Sequence, residues 1–274
     1  CHSALAGESL DSLLNVLDKT IKEADTYVQI KENKLHELKK EARKTPPFSV
    51  ERYNLNNDIY LEYKAYSSDS ALHYLNENML LARQLNDKER ELKIQLELSY
   101  LLSSIGMYME AADILNSIDR QTLPSSLLGH YYTCYEHVYF EAGAAQPRYK
   151  MFASRYAKLS HAYRDSMQVT LDPSSATYLW LRETQLREAG KYDEALEFSD
   201  RRLAESSFGT PQYALVAYQR FRLFESMGKK DEHLYYLVLS AISDVRSAIK
   251  EQSSLMVLAQ ELNSKGDLKR AYDY

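Results

Sequence analysis

Glycine returns late in successive helical segments of this 274-residue chain, at Gly106, Gly143, Gly190, Gly228 and Gly266. The gaps are 37, 47, 38 and 38 residues. A near-period of this length constrains the fold more than any single motif does. Each unit is one supersecondary piece that buries its apolar face only by stacking on the next. Alanine follows five residues after three of the glycines, at Ala111, Ala195 and Ala271. The clearest copies run Gly190-Lys191-Tyr192-Asp193-Glu194-Ala195-Leu196-Glu197-Phe198 and Gly106-Met107-Tyr108-Met109-Glu110-Ala111-Ala112. Glycine closes the first helix of a pair because it adopts left-handed backbone without steric cost. Tyrosine fills the wedge between the helices, and alanine is small where they cross most closely. Apolar positions before the glycines complete the pattern: Leu98 and Leu102, Leu179 and Leu186, and Leu255, Leu258 and Leu262. With only 8 glycines and 6 prolines the chain lacks the turns that sandwiches, barrels and doubly wound sheets require.

This pattern resembles the tetratricopeptide repeat (TPR) family, whose half-motif reads Gly-x-Tyr-x-x-Ala-x-x-x-Phe. The resemblance covers about four-fifths of the chain. It implies an all-α, right-handed, TPR-like helical-hairpin solenoid over residues 53–274, in six units: 53–88, 90–122, 125–170, 174–208, 210–247 and 250–274. The first unit turns at Tyr66-Ser67-Ser68-Asp69 instead of at a glycine. In the third, Pro147 and Arg148 stand where the second helix should begin. The stripe Tyr149, Phe152, Tyr156, Leu159, Tyr163 and Met167 then makes that helix long. The fifth has His233 in the alanine place, which predicts splayed helices. The last stops one turn into its second helix, so an apolar patch is expected at that end and the natural protein is expected to continue.

Residues 8–45 read as one long N-terminal helix capped by Ser9, with Asp11 in its first turn. From Leu14 the apolar positions step by three and four through Leu17, Ile21, Ala24, Val28, Leu35, Leu38 and Ala42, and Lys31 interrupts the seam. Such a seam serves either a dimerising coiled coil or a helix laid against the first repeat. Thr45-Pro46-Pro47 ends it. Residues 1–7 read either as the remnant of an export signal, because Ala4-Leu5-Ala6 before Gly7 has the small-residue spacing of a signal-peptidase site, or as a tag-like end. A lipidated Cys1 is the other export reading. Cys1 and Cys134 are the only cysteines, too few for a disulfide framework. No stretch approaches the ~20 apolar residues of a membrane helix.

The balance of 34 basic against 39 acidic residues, a net charge of -5, excludes nucleic-acid binding through bulk charge. No P-loop, G-x-S-x-G, HExxH or C-x-x-C occurs, so no enzyme activity and no cofactor are expected. His130, Cys134, His137 and Glu141 share one helix face, and all four residue types bind borderline metals. A single helix rarely aims four ligands at one ion, and a polar groove wall is the preferred reading.

In TPR solenoids the first helices line the concave face. That register, implied by the resemblance, selects Tyr53, Tyr60, Tyr63, Lys64, Lys93, Tyr100, His130, His137, Phe140, Trp180, Arg187, Tyr218 and Arg222. The set is aromatic and basic. Tyr and Trp give contact area at low entropy cost, and Lys and Arg clamp carboxylates. With 23 tyrosines, many must instead serve as wedges. The expected function is a non-catalytic interaction module that docks a peptide or partner protein in this groove. The long first helix and the export hint resemble the exported TPR region of membrane-tethered regulators common in Bacteroidetes. That implies an extracytoplasmic site, with a cytoplasmic scaffold as the alternative. Membrane contact is expected only through segments outside this chain, nucleic-acid contact not at all, and a homodimer through the first helix is an open option. The rivals are a small-ligand or glycan sensor using the same groove and a metal-dependent enzyme built around His137.

Overall fold

The computed structural model describes residues 9–250 and 253–274. Cys1 and the Ala4-Leu5-Ala6 pattern lie outside them. Among the described residues there are fourteen helices and no strand. They are α1 (Leu10–Lys22), α2 (Ala24–Lys44), α3 (Val50–Tyr63), α4 (Ser68–Gln84), α5 (Lys88–Ser104), α6 (Tyr108–Ser117) and α7 (Ser125–Ala144). Then follow α8 (Lys150–Thr170), α9 (Ala176–Glu188), α10 (Tyr192–Ala204), α11 (Pro211–Ser226), α12 (Lys230–Arg246), α13 (Ser253–Lys265) and α14 (Leu268–Asp273). The fold class is all-α, of the TPR-like helical-hairpin type.

Four hairpin turns close in the same way. Gly106, Gly190, Gly228 and Gly266 all have φ between +71° and +88°. At each, the residue after the glycine donates back to the carbonyl five residues earlier, as in Met107 N–H to Leu102 (2.9 Å) and Lys191 N–H to Leu186 (2.9 Å). Satisfying the last carbonyls of the first helix this way requires left-handed backbone at the glycine. Gly143 is different: it lies inside α7, and the link to α8 is the non-glycine segment 145–149. The irregular 47-residue gap in the glycine series follows from that. Ala111 and Ala195 are fully buried at the helix crossings.

The first helix is expected as one rod but forms two. Glu23 interrupts it, without glycine or proline nearby. Three residues earlier the buried Thr20 hydroxyl donates to the Val16 carbonyl (2.8 Å).

The chain divides into two compact units, one containing residues up to Lys34 with Leu179–Tyr274, the other Leu35–Tyr178. In the first, Leu13, Leu14 and Leu17 of α1 share a core with Val216 and Phe221 of α11, Leu237, Val238 and Ile242 of α12, and Leu258 of α13. Helix α12 is therefore buried on nearly every side from Leu237 to Val245, as expected for a helix enclosed by α1, α11 and α13. Asp18 of α1 also accepts from Tyr274 Oη (2.6 Å) and pairs with Arg270. His233 does not splay its hairpin: it is buried edge-on against Phe221 (5.6 Å), and α11 and α12 stay closely packed. Helices α9 and α10 meet through Leu186, Ala195 and the buried Glu183–Arg202 pair. At the last hairpin Met256, Leu268 and Tyr272 are exposed around a shallow hollow of about 810 Å³.

In the second unit Leu35 and Ala42 of α2 pack with Ile59, Tyr60 and Tyr63 of α3, Leu75 of α4 and Leu101 of α5. Of the first-helix seam, Leu14 and Leu17 are buried in one unit and Leu35 in the other, with Leu38 partly buried beside it. Helices α7 and α8 form a long hairpin tied by a buried ion pair, Arg164 Nε to Glu136 Oε1 (2.8 Å), with Ser160 donating to the same oxygen (2.9 Å). The apolar stripe of α8 is only partly interior. Met167 is fully buried, but Tyr149 and Phe152 at the N-terminal end are exposed.

Replacing Gly190 by Ala forces a Cβ into left-handed backbone with open space around it, at a cost of about 1–2 kcal/mol. Gly143→Ala gains helix propensity worth about 1 kcal/mol, because its new Cβ meets Tyr156 at an ordinary 3.4 Å. Hydrogen exchange is expected to quicken in α9–α10 for the first variant and to slow in α7–α8 for the second.

Candidate binding face

The first helices α3, α5 and α7 of three successive hairpins bring most of the sequence-selected residues of Leu35–Tyr178 together. Steps of four, three and four residues put Lys93, Glu97, Tyr100 and Ser104 on one side of α5 and His130, Cys134, His137 and Glu141 on one side of α7. Glu97 is the centre. Tyr60 Oη donates to its Oε2 at 2.6 Å, Lys64 Nζ donates to the same oxygen at 3.1 Å, and His130 Nε2 lies 3.6 Å from Oε1. The Lys64 ammonium also sits 4.5 Å over the Tyr100 ring. Tyr100 stacks on His137 (4.0 Å between centroids, 10° between planes), and His137 Nε2 is 2.9 Å from Ser104 Oγ. Glu97 escaped a reading that sought aromatics and bases. The signal was present: it lies four residues after Lys93 and three before Tyr100, on the same face.

The charges of this cluster are settled internally. Burial pushes the Glu97 carboxyl up, but Lys64, His130 and the hydrogen bond from Tyr60 outweigh it and hold the group below the usual range. Burial lowers His130, with help from Lys64 and Lys93, against the opposing pull of Glu97. Burial and Lys64 push His137 down to about 4. At neutral pH both imidazoles are therefore uncharged, and Lys64 is already neutralised. The carboxylate that Lys64 was expected to clamp is supplied by the chain's own Glu97. Tyr60 is fully buried behind Glu97, so what faces outward is formed by the half-buried Lys64, Tyr100, His130 and His137, with Lys93 exposed and Phe140 half exposed.

Other selected residues stand elsewhere. Tyr53 is buried beneath the Arg90 guanidinium (5.1 Å), and its carbonyl accepts from Asn78. Tyr63 is buried against Tyr66 and Tyr74, and its hydroxyl accepts from Lys39 Nζ (2.6 Å). In the unit of Leu179–Tyr274, Trp180 and Arg187 are half-buried on α9, Tyr218 lies against Phe221 on α11, and Arg222 is exposed beside Glu225.

The cluster is poorly built for chemistry. Ser104, His137 and Glu141 form a row that looks like a nucleophile, base and acid. Ser104, however, ends α5, where the carbonyl end of the helix opposes a developing anion, and its hydroxyl also donates to the Tyr100 carbonyl (3.0 Å). An imidazole near 4 is a weak base, and Glu141 is 3.9 Å away. Cys134 is fully buried and points at the Leu96 carbonyl (3.3 Å), with burial pushing its thiol well up. A buried thiol of this kind is inert. Among the described residues no three His, Cys, Asp or Glu side chains gather to hold a metal ion.

His137 provides a pH test. Its folded pKa, about 4, lies below the ordinary 6.5, so the unfolded chain binds more protons between those values and stability falls as the medium acidifies through that window. From pH 7 to pH 5 the loss from this one group is roughly 2 kcal/mol. In His137→Gln that part of the acid sensitivity disappears, read as a smaller shift in thermal midpoint between the two pH values than in the unsubstituted chain.

A search of curated proteins finds no match. A family model described as the SusR N-terminal TPR domain matches residues 21–274, which include every helix from α2 onward. With its glycine-closed hairpins and a match over far more than half its length, the chain belongs to the SusR N-terminal TPR domain family.

Proposed function

We propose that the face built by α3, α5 and α7 docks an extended segment or helix of a partner polypeptide, without chemistry. TPR domains are interaction modules in general, and this reading assigns the role to a particular surface. One observation carries it: Lys64, Tyr100, His130 and His137, drawn from three successive hairpins, are locked with Glu97 into one continuous wall backed by the fully buried Tyr60. A pre-organised aromatic wall loses little entropy on binding, and with its charges settled it suits a polypeptide better than a small anion. Lys93 and Phe140, exposed on α5 and α7, are the contact residues at its edge. We read the whole chain as the sensing or scaffolding part of a regulator that works outside the cytoplasm. The family match and the Ala4-Leu5-Ala6 pattern support that placement. No helix among the described residues is long and apolar enough to cross a membrane.

Site-specific photo-crosslinking in cells tests the face. With p-benzoylphenylalanine in place of Phe140, a discrete polypeptide adduct is expected, and Lys93→Glu lowers its yield. The same photoreactive group in place of Met109 on α6, which is 75% exposed, gives none. Equal adducts from both positions, or none from Phe140, would refute the assignment.

A further inference from the structure

The tip of the α7–α8 hairpin carries a surface that neither the repeat architecture nor the binding wall explains. Between Glu141 and Asp165 the sequence has no acidic residue, in a chain where acids outnumber bases. That interval holds Arg148, Lys150, Arg155 and Lys158, all exposed. None of the four forms an ion pair with a described carboxylate. The apolar side chains among them are exposed too: Tyr149 is 65%, Met151 74% and Phe152 41% accessible. Farther along, Met151, Arg155, Lys158 and Ala162 share one side of α8, spaced by four, three and four residues, away from the buried Ser160, Arg164 and Met167.

Stability accounts for none of this. The first turn of a helix favours acids, because its free N–H groups are the positive end of the dipole. The first turn of α8 has no acid, and Lys150 occupies it. Exposed Tyr, Met and Phe side chains at a hairpin tip add nothing to the core. Apolar and aromatic side chains ringed by long cations are what the interfacial zone of a bilayer accepts. The rings and thioether enter the acyl boundary while Lys and Arg stretch toward anionic headgroups. Charge complementarity decides the occupant: four unpaired cations match a surface of anionic lipid.

We propose that residues 148–158 dock on an anionic bilayer surface and hold the Leu35–Tyr178 unit against it. The contact uses none of the wall around Glu97 and adds a membrane contact within this chain to any that lies outside it.

The test is flotation of the whole 274-residue chain with vesicles. Binding is expected to phosphatidylcholine vesicles containing phosphatidylglycerol, weak with phosphatidylcholine alone, and reversed by salt. Each basic residue near such a surface is worth roughly fivefold in partition. Arg155→Glu with Lys158→Glu should therefore lower binding by roughly a hundredfold or more. Met151→Ala with Phe152→Ala should weaken it while leaving the salt dependence intact. Circular dichroism of each variant confirms folding, since all four side chains are exposed. Absence of vesicle binding, equal binding to neutral vesicles, or binding untouched by the charge reversals overturns the proposal. So does a self-association in sedimentation that the charge reversals abolish, because the patch would then be a protein interface. The crosslink from Phe140 is scored separately, so either reading can fail alone.

Discussion

A helix of ten to twenty residues cannot hide its apolar stripe by itself, and in this chain the neighbour that hides it is fixed by the turn between them. Gly106, Gly190, Gly228 and Gly266 take the same left-handed conformation and return the same two N–H groups to the preceding helix. The second helix then leaves at a set angle. Ala111 and Ala195 are fully buried five residues after two of these glycines. With the hairpins so constrained, the first helices of successive pairs present residues spaced by three and four on one side. The wall around Glu97 rests on that spacing in α3, α5 and α7, although of its three hairpins only α5–α6 closes on such a glycine.

Tyrosine performs two tasks within this frame. As a wedge it fills volume. In α7 and α8, Tyr135 stacks on Tyr163 at 4.6 Å, nearly parallel, with Tyr139 beside them. As a polar handle it needs a partner once buried. Tyr60 donates to Glu97, Tyr135 to Asn116 and Tyr274 to Asp18, while Tyr63 accepts from Lys39. Each bond ties one helical segment to another. The buried pairs Glu136–Arg164 and Glu183–Arg202 do the same between the two helices of a hairpin, where losing one partner would strand a charge in the interior. The wall's aromatic groups are therefore held before any partner arrives.

The internal placement of Glu97 changes the chemistry that the wall presents. A free Lys64 would draw an anion to the surface. Paired with Glu97 and spread over Tyr100 it becomes part of the support, and two neutral imidazoles replace the expected positive field. Long-range electrostatics then belong to the unpaired cations of the α7–α8 tip. A wall with its charges paired, proposed for recognition, and a cationic tip, proposed for docking, thus occur as separate features of Leu35–Tyr178.

The all-α hairpin class was written in the sequence by itself. Glycine closure, alanine at the crossing and leucine three or four residues apart are local requirements, each met by residues near in the chain, so a single sequence displays them. The break at Glu23 was hidden because neither glycine nor proline marks it. Gly143 read as a turn glycine because spacing alone cannot report φ. Tyr53 and Tyr63 fitted the groove register, but which side of a helix meets its neighbour depends on helices far away in sequence. For the same reason the pairing of Lys64 with Glu97, 33 residues apart, was decided only by tertiary structure. A charge's partner is set by distance in space, and that distance exists only after the hairpins have stacked.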